Sequence, residues 1–185
     1  MSRNKKSYEL TPVKYLEVEE QELLKNTLRR YGVTNPRDTT LIWVAYVTGA
    51  RASEVLDIRV GDLFPDRSSV LIRGKKGSRD RVMRMPEWLM LRVLSLGSCV
   101  DTGRVFPISY QRFYQIWCEY RPVGKRLHSL RHTFAMNVYR GGRDLHMVQA
   151  CLGHRSFSNT LIYAQYQSRQ EDMERALGYL GVGES

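Results

Sequence analysis

The sequence has no run of about 20 apolar residues, the length needed to cross a bilayer as a helix. Its basic start, from Met1 to Lys6, is not followed by the apolar stretch of a secretory signal. Cysteine is scarce: only Cys99, Cys118 and Cys151 occur among 185 residues, with no CxxC pair. An odd and scattered set argues against a disulfide framework or a zinc ribbon and leaves the thiols as small apolar fillers. No internal repeat, low-complexity segment or domain linker stands out. These absences point away from membrane and secreted classes and toward a cytoplasmic protein. Acidic residues are the other shortage, with 19 Asp and Glu against 29 Lys and Arg, a formal charge of +10.

What is present fits one folded domain. A share of 42% apolar residues can build a core, so intrinsic disorder is not expected. The basic excess favours an anionic partner, nucleic acid first and an acidic membrane surface second. Of the 29 basic residues 22 are Arg, whose planar fork suits phosphate. The excess lies in the middle of the chain: +4 over residues 51–100 and +5 over 101–150, against −1 over 151–185. A basic folded middle suggests a shaped surface for a phosphate backbone rather than a loose basic tail.

Periodicity and capping signals predict a mostly α fold with one small antiparallel sheet. Helices are expected over 18–31, from Pro36 to near Gly49, over 52–58, from Pro86 to about Leu96, and after Ser109 through Phe113, Ile116 and Trp117. Others are expected over 129–139 with a stop at Gly141-Gly142, from Asp144 to Leu152-Gly153, and from Ser158 through Tyr163. A last helix, opened by a capping box at Ser168 and Glu171, is expected to reach about Leu180. Residues 69–73 and 81–85 read as a hairpin with a basic tip, and 103–107 as a third strand.

Four segments carry candidate chemistry. In Thr48-Gly49-Ala50-Arg51-Ala52-Ser53-Glu54, an apolar helix stops at Gly and an Arg opens the next helix, a position that favours anions. Glu54 can orient that Arg, or the two can form an ordinary surface salt bridge. Lys75 and Lys76 sit at the hairpin tip among Arg73, Arg79, Arg81 and Arg84; alone, the tip is a solvated turn. His128 and His132 share a helix face at the spacing of a zinc-binding HExxH. Ser129 replaces its general-base Glu, however, and Arg131 between the two repels a cation, so metal binding is disfavoured. His128 and Arg131 can instead address one phosphate, or simply form a helix start. Gly153 leaves His154 at a turn, with Tyr163 nine residues on and Tyr166 three further; a tyrosine becomes a nucleophile only in an electropositive site.

In this order and spacing, TGARASEVLDI, GKKGSRDR, LHSLRHTFA and LGHRSFSNTLIY resemble the tyrosine recombinase (phage integrase) family, over about residues 15–180. Its small single-domain members of the fimbrial phase-variation kind are the nearest, and the run from Gln111 to Ile116 is similar to theirs. The resemblance implies the DNA breaking-rejoining fold as a single catalytic domain over 15–180. A flexible lead-in over 1–14 and a tail over 181–185 would flank it, with no N-terminal core-binding domain. A chain so built is expected to hold one half-site weakly.

The resemblance also implies a site-specific DNA recombinase acting through a 3′-phosphotyrosine intermediate, in inversion, integration, excision or resolution. Arg51, His128, Arg131 and His154 fall on the family's phosphate-handling positions, His128 as general base, and Tyr163 rather than Tyr166 falls on the nucleophile. Counting back from Arg81 places the general-acid lysine at Lys76; counting forward from Gly74 places it at Lys75. Lys76 is preferred, with Lys75 and Glu54 supporting. Arg73, Arg79, Arg81, Arg84, Lys125 and Arg126 are expected to contact DNA, and Arg84 stands where the family commonly has Pro. No cofactor and no metal is implied. The implied partners are double-stranded DNA with specific sites, a homotetramer on synapsed DNA with the acidic C-terminal segment docked on a neighbour, and accessory DNA-bending proteins; the location is the nucleoid. Two other functions remain open: a non-catalytic DNA-binding accessory factor, and a relaxing enzyme of the type IB topoisomerase kind.

Overall fold

The computed structural model describes residues 9–97 and 103–179. Cys99, the tail over 181–185, the helix end at Leu180 and most of the lead-in lie outside the described residues. Eight α-helices and a three-stranded sheet are built within them. Helix α1 spans Val18–Arg30, opened by a capping box in which Glu20 accepts from the Glu17 N–H. Helix α2 spans Pro36–Thr48, with Pro36 at its first position, where a missing N–H costs nothing. Leu41, Ile42, Val44 and Ala45 bury it nearly all round. It stops at Gly49, whose φ of +59° is the left-handed conformation glycine adopts without steric cost.

The next helix, α3, is one turn, Ala52–Val55, shorter than expected because the chain turns at Leu56 and Asp57. The sheet is antiparallel in the order β1 (Leu63–Phe64), β2 (Ser69–Ile72), β3 (Arg81–Arg84), with Val70 opposite Met83 and Ile72 opposite Arg81. The third strand is therefore Leu63–Phe64 and not residues 103–107. That later segment runs against residues 58–60 instead, through Val60 N–H to Gly103 O and Val105 N–H to Ile58 O, each 2.9 Å. Its buried Val105 and Phe106 serve the core.

Helix α4 spans Glu87–Gly97 and α5 Tyr110–Tyr120, the latter capped by Ser109 Oγ, which accepts from the Arg112 N–H at 3.1 Å. Helix α6, Ser129–Gly142, runs through both glycines that were expected to stop it and ends at Arg143, φ +53°. Glycine costs about 1 kcal/mol in a helix but does not forbid one. Asp144 then caps α7, Leu145–Leu152, accepting from the N–H groups of His146 and Met147. The final helix, α8, spans Ser158–Tyr179 unbroken. The capping signal at Ser168 goes unused, because no Gly or Pro interrupts the chain between Ser158 and Leu177.

Two apolar clusters hold these elements. The larger joins α1, α2, the sheet, α4 and α5 around Trp117, Phe113, Ile42 and Val70. The smaller joins α6, α7 and α8 through Met136, Val148, Leu152, Tyr163 and Tyr166. Leu10 and Tyr15 complete it, so the lead-in is packed from Leu10 onward rather than loose. Tyr15 donates to the Tyr166 hydroxyl oxygen at 3.0 Å, and the Leu16 N–H to Thr133 Oγ1 at 2.7 Å. Cys118 and Cys151 are free and half-buried. No described helix is long and apolar enough to cross a membrane.

A Cβ placed on Gly49 would lie 2.3 Å from Phe134 Cδ1, in addition to the left-handed strain. Gly77, φ +80°, has the strain without the clash. Left-handed strain costs about 1–2 kcal/mol, and overpacking adds about 1–3. Gly49→Ala should therefore lower the urea midpoint clearly more than Gly77→Ala; equal midpoints would remove the clash from the account.

Candidate active site

Three helix ends bring the candidate side chains together. Gly49 turns the chain at the end of α2, so Arg51 caps α3 with its side chain lying back over Glu54. Arg131, in the first turn of α6, reaches the end of α2 through Nη1 to Gly49 O and the end of α7 through Nη2 to Leu152 O, both 2.8 Å. Terminal helix carbonyls carry partial negative charge, and a guanidinium satisfies them well. Gly153, φ +66°, then turns α7 so that His154 follows, its Nδ1 3.0 Å from Thr160 Oγ1 on α8.

Arg51, His128, Arg131, His132, His154 and Tyr163 line one cleft of about 640 Å³. An adjoining cavity of about 280 Å³ is bordered by Arg51, Lys76, His128 and Arg131. The residues expected for the site therefore meet, from four separate segments. Tyr163 is only 1% exposed, with its ring in the smaller core. Tyr166 is turned away, bonded to Tyr15.

Beneath the cleft lies Glu54, 1% exposed. Its carboxylate accepts from the Arg51 N–H and Nη1, both at 3.0 Å, from Arg81 Nη2 at 2.9 Å and from the Lys75 N–H at 3.3 Å; Arg131 Nη1 lies 4.0 Å away. Burial alone would raise the Glu54 pKa, but the Arg51 N–H, Arg81 and Arg131 outweigh it and hold the carboxyl below the usual range. The same crowding keeps the histidines neutral. Burial, then Arg131 and Arg51, lower His154 to about 4. Burial within the packed cleft, then the same two arginines, lower His128 as well, although the residue as a whole is exposed. His132 falls to about 3, through burial and then His128 and Arg131. Arg131 itself falls to about 10, through burial and then Arg51.

The hairpin is fastened to this site. Lys75 to Ser78 form a tight turn closed by Ser78 N–H to Lys75 O at 3.1 Å, with both central residues at positive φ, Lys76 +51° and Gly77 +80°. Ser78 Oγ donates to Gly153 O at 3.1 Å and the Arg79 N–H to the same oxygen at 2.9 Å. Lys75 Nζ is engaged by Asp57 at 3.2 Å, while Lys76 is exposed beside Arg51.

Two of the expected DNA contacts are corrected. Arg81 is 8% exposed and ion-paired to Glu54, because its side chain shares the inward parity of Met83 on β3 and of Met85 just after it. Lys125 is turned inward to Tyr15 O, at 2.6 Å, and Glu20. Arg79, Arg84 and Arg126 are exposed, and Arg73 is half-exposed on Asp62 at 2.5 Å. Among the described residues no group of His, Cys, Asp and Glu could hold a metal ion. Sequence reasoning assigned no part to His132, whose Nδ1 lies 3.1 Å from Tyr163 Oη. Its signal was the helical spacing to buried Ala135 and Met136, which places it on the inward face.

Two measurements check these electrostatics. Glu54→Ala leaves Arg81, whose Nε and Nη1 have no partner among the described residues, as an uncompensated buried cation. Removing one partner of a buried pair costs about 3–5 kcal/mol, so urea unfolding should show a loss of that order. Asp57→Ala, on the part-exposed pair with Lys75, should lose about 1 kcal/mol or less. The neutral histidines set a pH dependence. Their folded pKa values of about 4, 3 and 4 lie below the unfolded 6.5, so the unfolded chain binds more protons. The stability they contribute is full above 6.5 and declines as pH falls toward 4. A flat urea midpoint between pH 7.5 and 5 would contradict this.

The phage integrase family pattern matches residues 14–170. The tyrosine recombinase XerA of Thermococcus kodakarensis is 28% identical over 159 residues, covering 78% of this chain and 56% of XerA. A tyrosine recombinase of Pseudothermotoga lettingae is 30% identical over 173 residues, covering 87% of this chain and 59% of its own length. The chain thus spans little more than half of these curated relatives. Among solved structures, the XerH site-specific recombinase bound to its difH substrate superposes with a TM-score of 0.70 at 23% identity, covering 89% of this chain and 56% of XerH. The catalytic domain of bacteriophage HP1 integrase gives 0.62, also at 23%, covering 82% of this chain and 87% of that domain. The small sheet, the helical layers and the match over residues 14–170 leave one assignment: this chain belongs to the phage integrase family.

Proposed function

We propose that this chain is a site-specific DNA recombinase that cuts and rejoins strands through Tyr163. The observation that supports this reading is the convergence of Tyr163 with Arg51, Arg131, His128 and His154 on one cleft, with Lys76 at its border. In this reading Tyr163 gives up its proton to His128 and its oxygen bonds to phosphorus. The bond from phosphorus to the 5′-oxygen breaks, and Lys76 protonates that oxygen. A 5′-hydroxyl of the partner duplex reverses each step, so one phosphodiester replaces another and no nucleotide energy is consumed. Arg51 and Arg131, as forks on the non-bridging oxygens, and His154, as a neutral donor, stabilise the charge of the transition state.

Exposed Arg79, Arg84 and Arg126 provide contacts to the DNA backbone. The outer half of α8, with Met173 64% exposed and Leu177 also exposed, offers a docking surface for a neighbouring protomer in a tetramer on two sites.

The test uses nicked duplexes carrying a randomised central segment, with covalent adducts recovered from denaturing gels. Wild type should yield adducts of one sequence class, unaffected by EDTA. Tyr163→Phe should bind the selected duplex yet form none, and Arg51→Ala should form them about 10²–10³-fold more slowly. An adduct at Tyr166 in the Phe variant would overturn the assignment. Binding without any adduct would favour an accessory factor, and relaxation of plasmids lacking the selected site would favour a topoisomerase.

A further inference from the structure

His132 is the histidine of the His128–His132 segment for which the reaction above has no role, and at 6% exposure it lies deep in the protein. Its ring stands edge-on to His128, with centroids 4.8 Å apart and planes at 82°. Its Nδ1 lies 3.1 Å from Tyr163 Oη. Ala135 and Met136, on the same helix, share the smaller core with the tyrosine ring. Helix α6 thus shares an apolar cluster with the tyrosine and makes a polar contact at its hydroxyl.

We propose that His132 is a positioning residue for Tyr163: an N–H at Nδ1 donates to the hydroxyl oxygen, fixes it at the cleft wall and leaves a lone pair facing the phosphate. The inference rests on the recombinase reading. It requires a neutral ring, and the surroundings provide one. Burial comes first, and the charges of Arg131 on the same segment and of Lys14, before α1, add to it in opposing a positive charge on the ring. A neutral imidazole carries one N–H, so a donor at Nδ1 leaves Nε2 unprotonated and an acceptor. His132 makes no bond to DNA and keeps its proton throughout, while the tyrosine proton passes to His128 as above. The same N–H faces the phenolate that forms when the phosphotyrosine link is broken. Its value is geometric, since a nucleophile displaced by about 1 Å can lose about 10²-fold in rate.

The experiment measures adduct formation at saturating concentrations of the selected nicked duplex, alongside duplex affinity and urea midpoint. His132→Leu keeps much of the volume but removes the N–H, and should react about 10²-fold more slowly at unchanged affinity. His132→Asn places an amide N–H near the site of Nδ1 and should recover to within about tenfold of wild type. A Leu variant as fast as wild type, or a folded, DNA-bound Asn variant no faster than Leu, overturns the positioning role while leaving the recombinase reading intact. A wild type that forms no adduct removes both. Independently of any variant, long-range ¹⁵N–¹H spectra of the DNA-free chain should show His132 protonated at Nδ1 and bare at Nε2; the opposite tautomer overturns the inference.

Discussion

The Glu54 carboxylate is the group on which the cleft depends. Burying a carboxylate is costly unless cations and donors surround it, and here they come from three places in the chain. Arg51 belongs to its own turn, Arg81 to β3 and Arg131 to α6. Each contact fixes an element as well as a charge. Arg81 ties the hairpin strand to the α2–α3 corner, and Arg131 spans the carbonyl ends of α2 and α7. Three guanidinium groups nevertheless outnumber one carboxylate, so the arrangement is satisfied in geometry and not in charge. Burial first, and the neighbouring arginines after it, lower the Arg131 pKa and keep His128 and His154 neutral. The excess positive charge sits between Arg51 and Arg131, at the floor of the cleft.

That surplus also orders the chemistry. In the proposed reaction a phosphate in the cleft would offset part of the field that, after burial, lowers the proton affinity of His128. A group that must accept a proton late and donate hydrogen bonds early is well served by such coupling. The hairpin adds a mechanical counterpart. Ser78 and Arg79 both bond to Gly153 O, so the turn carrying Lys76 and the corner carrying His154 share one anchor. A Cβ on Gly153 would come 2.7 Å from Arg79 O, which explains why that corner is glycine on packing as well as conformational grounds.

Much of this was legible in the sequence, and the reasons are local. Gly49 and Gly153 announced left-handed helix ends, and those ends place Arg51 and His154. The family resemblance, through its nine-residue step from His154, pointed to Tyr163, the tyrosine that lines the cleft. What escaped was decided by side-chain direction and by long-range packing. Arg81 reads as one more cation at a basic hairpin until its parity with Met83 and Met85 is taken seriously; Val82 and Arg84 are the outward pair. Lys125 lies in a basic loop, and no local pattern announces that Glu20, 105 positions away, will draw it inward. The unbroken α8 overrode a good capping box because a capping signal opens a helix only where the preceding chain is not already helical. The third strand, two residues long, falls below any periodicity.

The smaller core is where site and chain meet most tightly. Tyr163 shares it with Leu10, Tyr15 and Tyr166, so the segment before α1 packs against the helix that carries the tyrosine. Tyr15 bonds Tyr166 through hydroxyl oxygens, and its own carbonyl is held by Lys125. A displacement of this strap is therefore felt one helical turn from the tyrosine hydroxyl. The cluster is much smaller than the main core, and burial energy scales roughly with the apolar area removed from water. It is the smaller of the two cores, whereas Arg51 is held by Glu54, and Arg131 by the carbonyls of Gly49 and Leu152 with Glu54 nearby. In the proposed reaction the arginines that would hold the phosphate are thus tied to Glu54 and to the helix ends, while the tyrosine rests on the smaller core.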